Sequence, residues 1–86
     1  MEATNIGVFT FKCQQFMDEC KSKEYINSKQ FHKDYMLLRT YGRKLEDSLN
    51  KLNTKYPNDI DVSVAMEAFR VFNNAVTSLY RKIVES

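Results

Sequence analysis

The residues best suited to chemistry in this sequence are two cysteines and one histidine. Cys13 and Cys20 are seven residues apart, so on a helix their thiols would share one face, about 10 Å apart along the axis. That distance is too long for a disulfide between them, and a zinc site would need two further ligands. His32, the only histidine, falls near the outer face of a different predicted helix. We therefore interpret the cysteines as small buried hydrophobic residues and predict no metal site and no cofactor.

A short acidic stretch has the spacing of the first ligands in a calcium-binding loop. Asp59, Asp61 and Ser63 alternate as such a loop requires. The sixth position, however, is Val64 where the loop needs glycine, and the twelfth is Arg70 where it needs glutamate. Capping of the helix that follows explains these carboxylates better.

No other pair of side chains is placed for catalysis. Glu46 and Asp47 are adjacent, so they point to different faces of a helix. To act as a base, His32 would have to meet Cys13, Cys20 or a serine in a pocket, and no local pattern supports this. We predict that the protein is not an enzyme and has no small-molecule substrate.

Basic residues form the most distinctive surface pattern. They fall opposite the apolar stripe of one predicted helix and extend over about 40 Å, long enough to follow a phosphate backbone. A lysine-rich outer face also keeps a helix soluble, and an acidic protein partner would explain the same charges. The face lacks the interleaved aromatic residues of single-strand binders. The residues of this basic face are Lys29, Lys33, Arg39, Arg43, Lys44, Lys51 and Lys55.

Length and composition limit the classes of protein that the chain can form. Its 86 residues predict one domain, 1–86, near the lower size limit for an independent core. The net charge is only +2, so the distribution of charge, and not its sum, must attract any nucleic acid. Two glycines and one proline argue against turn-rich β architectures and phosphate-binding glycine loops. No signal-peptide pattern and no stretch of ~20 apolar residues is present, which predicts a cytoplasmic protein without membrane contact.

The first of three segments with helical periodicity covers about residues 6–22. Phe9, Cys13, Phe16 and Cys20 recur at intervals of four, three and four, which is typical of one helical face. The stretch IGVFTF near its start is rich in strand-forming residues, so a short extended lead-in at the N-terminus is an alternative.

Two further segments keep the same spacing of apolar residues. Asn27, with Gln30 three residues later, predicts a capping box at the start of the second segment. Pro57 disfavours helical geometry at the residue before it and ends that segment. Short connections favour antiparallel neighbours. The sequence therefore predicts an all-α fold, an antiparallel up-down-up three-helix bundle with helices at about 6–22, 28–56 and 60–84.

Gly42 interrupts the apolar stripe of the second segment, where a core side chain is expected. Glycine inside a helix costs about 1 kcal/mol relative to alanine. It can leave a packing hole for a neighbouring side chain, mark a kink or break, or be tolerated without a role. The spacing stays in phase on both sides, which favours one continuous helix. We interpret Gly42 as a packing hole filled by a ring from a neighbouring helix, with Phe9 and Phe72 level with it.

Several apolar residues fall outside the predicted core faces, among them Val8 and Phe11. So small a bundle leaves part of a wide apolar surface exposed, and a partner or a second copy would cover it. We predict a protein that binds a macromolecular partner, as a regulator, inhibitor or assembly subunit, and that associates with itself. The alternative is a nucleic-acid-binding accessory protein that uses the basic face. The candidate apolar interface comprises Met36, Leu37, Tyr41, Val64 and Val71.

Overall fold

The computed structural model describes residues 5–86, and all the regular structure in this range is helical. The predicted all-α class is confirmed. Three long helices each contact the other two, and a short helix contacts the one that follows it. The molecule is elongated, with extents of 44 × 18 × 17 Å. The helices are α1 (Asn5–Glu19), α2 (Lys23–Ile26), α3 (Lys29–Lys55) and α4 (Ile60–Glu85).

The first predicted helix is too long at its C-terminal end. α1 ends at Glu19, and the N–H groups of Lys21 and Ser22 bond to carbonyls three residues back, at 3.2 and 3.0 Å. Ser22 has an extended backbone and caps α2, because its hydroxyl oxygen accepts the Tyr25 N–H. A serine oxygen that satisfies a free N–H starts a new helix. The chain therefore turns here, and Tyr25 packs edge-on against Phe16.

The start of α1 decides against an extended lead-in over the IGVFTF stretch. The IGVFTF stretch is helical, since α1 begins at Asn5, so an extended lead-in over these residues is wrong; any lead-in over residues 1–4 lies outside the described residues. Burial of Phe9 in the helical core outweighs the strand preference of its neighbours, because tertiary packing overrides local propensity.

The start of α3 lies one residue later than the predicted cap. Ser28, and not Asn27, is the N-cap, and its hydroxyl accepts the Phe31 N–H. The predicted capping box is wrong, since Asn27 ends α2 and the Gln30 side chain donates to Asp34 instead. The observed cap is only one residue from the predicted cap, because serine and asparagine can both satisfy a free N–H at a helix start.

α4 begins with the predicted kind of cap. The Asp59 carboxylate accepts the N–H groups of Asp61 and Val62, at 2.8 and 3.3 Å. It thereby satisfies two of the backbone donors that a helix start leaves free. No helix within residues 5–86 combines the length and apolarity needed to cross a membrane.

The core follows the apolar stripes of the three long helices and is rich in aromatic rings. Phe16 stacks on Phe31, with centroids 5.7 Å apart, and Tyr35 stacks on Tyr80 at 3.7 Å. Such ring pairs add to the stabilisation that burial alone supplies. The buried apolar residues are Phe9, Cys13, Phe16, Phe31, Leu38, Leu45, Leu49, Val62, Ala65, Phe69 and Val76.

Candidate interaction surfaces

Gly42 lies inside the continuous helix α3, and no glycine of the chain has a positive φ angle. A Cβ atom added at Gly42 would lie 3.3 Å from Phe9 Cε1 and 3.5 Å from Phe69 Cε1. Phe9, 1% exposed, also stacks on the rings of Tyr41 and Phe69. The second ring beside Gly42 is that of Phe69, so the expectation of Phe72 there is wrong. Phe72 lies one turn further along α4 and is only partly buried.

A groove of about 430 Å³ opens between α1 and the neighbouring margin of α3. Its floor contains the buried side chains of Phe16 and Leu38. Leu37 lies at its rim and is 66% exposed. Tyr41 also lines the groove and is partly buried against the core. We call Leu37 and Tyr41 the α1-facing margin of α3; both belong to the candidate apolar interface.

The two ends of the groove have opposite charge. Lys12 lines the end near Tyr41, and Glu19 and Asp34 line the other end. Asp34 accepts hydrogen bonds from the Tyr25 hydroxyl at 2.6 Å and from Gln30 Nε2 at 2.7 Å. Burial, and then the hydrogen bond to Asp34, raise the pKa of Tyr25 above its ordinary value, so the phenol keeps the proton that it donates to this carboxylate.

The opposite margin of α3 is closed by polar contacts with α4. The Tyr80 hydroxyl lies 2.8 Å from His32 Nδ1, and Arg39 Nη1 donates to Thr77 Oγ1 at 3.3 Å. We call His32 and Arg39 the α4-facing margin of α3. Arg39 is half-buried, so it points towards α4 and does not lie on the outer face with the other basic residues. Periodicity alone missed this, because Arg39 borders the apolar stripe.

The remaining six residues of the basic face are exposed. The ion pairs within residues 5–86 lie in or just after α1 (Lys21 with Asp18) and in α4 (Arg70 with Glu67). α3 therefore contributes no ion pair to the described part of the chain, and these six cations face solvent. Lys55 has an aromatic neighbour, with its ammonium 5.4 Å from the centre of the Tyr56 ring. The six residues are Lys29, Lys33, Arg43, Lys44, Lys51 and Lys55.

The other candidates for an apolar interface lie on separate surfaces. Met36 is exposed within the basic face, and Val64 and Val71 are exposed on α4. Val8 and Phe11 are exposed on α1, the helix that forms the other wall of the groove. The structure thus brings Leu37 and Tyr41 together with α1 and leaves Met36, Val64 and Val71 outside the groove.

The two cysteines are free thiols in an apolar setting. Cys13 is buried and Cys20 is half-buried. Burial raises the pKa of Cys13 to about 12; burial, with a smaller effect of Glu19, raises the pKa of Cys20 to about 11. Both thiols stay protonated at neutral pH and are poor nucleophiles. No group of three or more His, Cys, Asp or Glu side chains within residues 5–86 is placed to hold a metal ion.

The chain matches none of the protein-family models, curated proteins or solved structures with which it was compared. The groove and the basic face are the two surfaces whose composition bears on binding.

Proposed function

We propose that this chain is a small, non-enzymatic, cytoplasmic protein that acts by binding a macromolecular partner, as a regulator, inhibitor or assembly subunit, and that also associates with itself. The observation behind the proposal is the groove between α1 and α3, with exposed apolar side chains beside it. Its floor is apolar, and its rim residue Leu37 is two-thirds exposed.

The position of the exposed residues matters more than their number. Single exposed apolar residues are normal on a protein surface, whereas apolar patches with a polar border mark interaction sites. Here Leu37 and the half-buried Tyr41 lie beside a hollow bordered by charged residues. A groove between two helices is a common binding site for the apolar face of another helix.

The proposal includes the antiparallel up-down-up topology, which the order of contacts along the helices supports. Phe9, early in α1, lies against Gly42 in the middle of α3, whereas Phe16, later in α1, stacks on Phe31 near the start of α3. Phe31 also stacks on Tyr80, near the end of α4. Phe69, earlier in α4, lies against Gly42. These contacts support an antiparallel α1–α3 pair and an antiparallel α3–α4 pair.

Cysteine chemistry supports the non-enzymatic and cytoplasmic parts of the proposal. Unpaired cysteines are typical of proteins in reducing compartments. The raised pKa values of Cys13 and Cys20 oppose a role for either thiol as a nucleophile.

Affinity capture from cells of the source organism, with nuclease present, tests partner binding. The wild-type chain is compared with a Phe11→Glu/Leu37→Glu variant. Both positions are exposed; Leu37 lines the groove, and Phe11 lies one helical turn before the lining residue Gln15. The matched control is Val71→Glu/Val84→Glu, with two exposed changes on α4. A protein retained by the wild type and the control but lost by the groove variant is the expected result. If the wild type retains no protein after nuclease treatment, the proposal is wrong.

A second candidate function is nucleic-acid binding through the basic face. The observation that favours it is the set of exposed cations on α3 that have no ion pair within the described residues. Lysine and arginine side chains that neutralise phosphates release counterions, so binding should weaken steeply as salt is added.

Fluorescence anisotropy with labelled DNA and RNA over a salt series tests this candidate. The variant Lys33→Glu/Arg43→Glu/Lys51→Glu should lose binding. The control Lys23→Glu/Arg81→Glu/Lys82→Glu changes the net charge equally at exposed positions outside α3 and should keep most of it. Absence of binding by the wild type at low salt, where the interaction is strongest, excludes this candidate.

A further inference from the structure

We propose that the groove between α1 and α3 binds a second copy of this chain. The second copy lies antiparallel, so that Lys12 of each copy is opposite Glu19 of the other. This inference rests on the self-association in the proposed function, and it adds the surface and the orientation.

The groove face is self-complementary because it has both a hollow and projecting apolar side chains. Leu37 lines the groove and is 66% exposed. On α1, Phe11 is 69% exposed and lies one helical turn before Gln15, which lines the groove. A two-fold axis places the same patch of both copies in contact. Leu37 of one copy then covers the apolar floor of the other, and Phe11 lies towards the end of the contact.

The charges along the groove select the antiparallel orientation. Lys12 lines one end, and Glu19 and Asp34 line the other. In a parallel pair the acidic ends would meet and repel each other, whereas an antiparallel pair places Lys12 opposite Glu19 twice. Neither Lys12 nor Glu19 has an ion-pair partner within residues 5–86, so both are available. Charges at the border of an interface fix its register and orientation more than its affinity.

The other exposed apolar residues fit a second copy less well. Met36 lies on the basic face, with Lys33 three residues before it and Arg43 seven residues after it, so two copies meeting there would repel each other. Val64 and Val71 are exposed on α4, and they line neither the groove nor the smaller hollow between α3 and α4. A standard interface buries about 800 Å² per partner, roughly an eighth of the 6179 Å² surface of this chain. It would therefore extend from the groove to Phe11.

A charge exchange between Lys12 and Glu19 tests the orientation. Lys12→Glu alone and Glu19→Lys alone each place like charges opposite each other twice, so each should weaken the homodimer by about tenfold. Mixing these two variants restores opposite charges at both contacts, and so does combining both changes in one chain. We expect the mixture to form a heterodimer, and the double variant a homodimer, each with a dissociation constant within about threefold of the wild type. Analytical ultracentrifugation gives the constants, and subunit exchange between fluorescently labelled chains detects the heterodimer.

A second pair of variants tests the surface. Leu37→Glu should give a monomer, whereas Val64→Glu, at a similarly exposed position on α4, should leave the dimer intact. Circular dichroism checks that each variant keeps its helix content. The inference is overturned if the wild type is a monomer at ~100 µM, where mass action favours association. It is also overturned if Val64→Glu dissociates the dimer while Leu37→Glu does not, or if the mixture of charge variants fails to recover association. A monomeric wild type that still captures a protein after nuclease treatment would overturn this inference and the self-association on which it rests, and would leave partner binding intact.

Discussion

The two margins of α3 border the same apolar stripe but meet their neighbouring helices differently. On the α4-facing margin, His32 and Arg39 contact Tyr80 and Thr77 through polar atoms. On the α1-facing margin, the surface opens into a groove and Leu37 is exposed beside it. No side-chain hydrogen bond joins α1 to α3 within residues 5–86. One margin is closed by polar side chains that tolerate water, while the other presents apolar side chains that burial would stabilise.

The two margins are expected to serve different purposes, one in stabilising the fold and the other in binding. Contacts on the α4-facing margin hold the helices together, so changes there should lower the free energy of unfolding. Leu37, on the α1-facing margin, buries little of its apolar side chain within the fold. Changes at this residue should alter association and leave the fold intact. Variants at the two margins should therefore differ in their free energy of unfolding.

The largest expected effect comes from the ring cluster beneath the α4-facing margin. Phe31 is 1% exposed and stacks on Phe16 and Tyr80. We expect Phe31→Ala to lower the free energy of unfolding by about 3–5 kcal/mol, because it removes a buried ring and leaves a cavity. Urea denaturation followed by circular dichroism measures the change. A loss below about 1 kcal/mol would mean that the cluster does not hold α3 and α4 together.

The next effect concerns Gly42, in the centre of the stripe between the two margins. We expect Gly42→Ala to be neutral or to destabilise by about 1–3 kcal/mol, because the new methyl group would press on the Phe9 ring. Phe9 cannot easily move away, since it is buried and packs on the rings of Tyr41 and Phe69. Gly42→Leu should be clearly worse.

The chain supplies a control for this substitution. Gly7 lies in α1, and a Cβ atom there would meet nothing within 4 Å. Gly7→Ala should therefore stabilise by up to about 1 kcal/mol through helix propensity alone. Thermal melts of the three variants give the comparison. If Gly42→Ala and Gly42→Leu both raise the melting temperature, Gly42 is not a packing hole.

A smaller effect is expected from the polar border of the α4-facing margin. Tyr80→Phe keeps the ring that stacks on Tyr35 but removes the hydroxyl that lies 2.8 Å from His32. We expect a loss of about 0.5–1.5 kcal/mol, the usual net contribution of one hydrogen bond. Denaturation of His32→Ala and of the double variant Tyr80→Phe/His32→Ala completes a double-mutant cycle. Fully additive losses would show that the two side chains do not stabilise each other.

The long helices were predictable because their ends have local signals. Pro57 and Asp59 both lie in the short connection between α3 and α4. The end of α3 and the start of α4 are each within a residue of the predicted position. The end of α1 was not predicted, because Cys20 continues the apolar spacing and no glycine or proline interrupts it. Ser22 was the available signal, since serine often caps a helix.

The groove was predictable only in part. Leu37 and Tyr41 stand out in the sequence because they border the apolar stripe of their own helix. The charged residues of the groove, Lys12 and Glu19, have no such signal: their relation to α3 depends on how α1 packs against it. Periodicity also leaves open which border of the stripe faces α4, and for that reason the orientation of Arg39 could not be derived from spacing.

The smallest expected effect on folding comes from Leu37, although this residue is central to the proposed binding surface. Leu37→Gln changes a side chain that is 66% exposed, whereas the adjacent Leu38 is 7% exposed. Substitutions at exposed positions usually change stability by less than about 0.5 kcal/mol, so Leu37→Gln should leave the free energy of unfolding almost unchanged. Leu38→Gln should lower it by more than about 2 kcal/mol, because it removes buried apolar contacts and buries an amide. Association also stabilises the folded chain, so the measurement belongs at a dilution where sedimentation shows only monomer. Under those conditions, an equal loss for both variants would show that Leu37 serves the fold, and the contrast between the two margins of α3 would then be wrong.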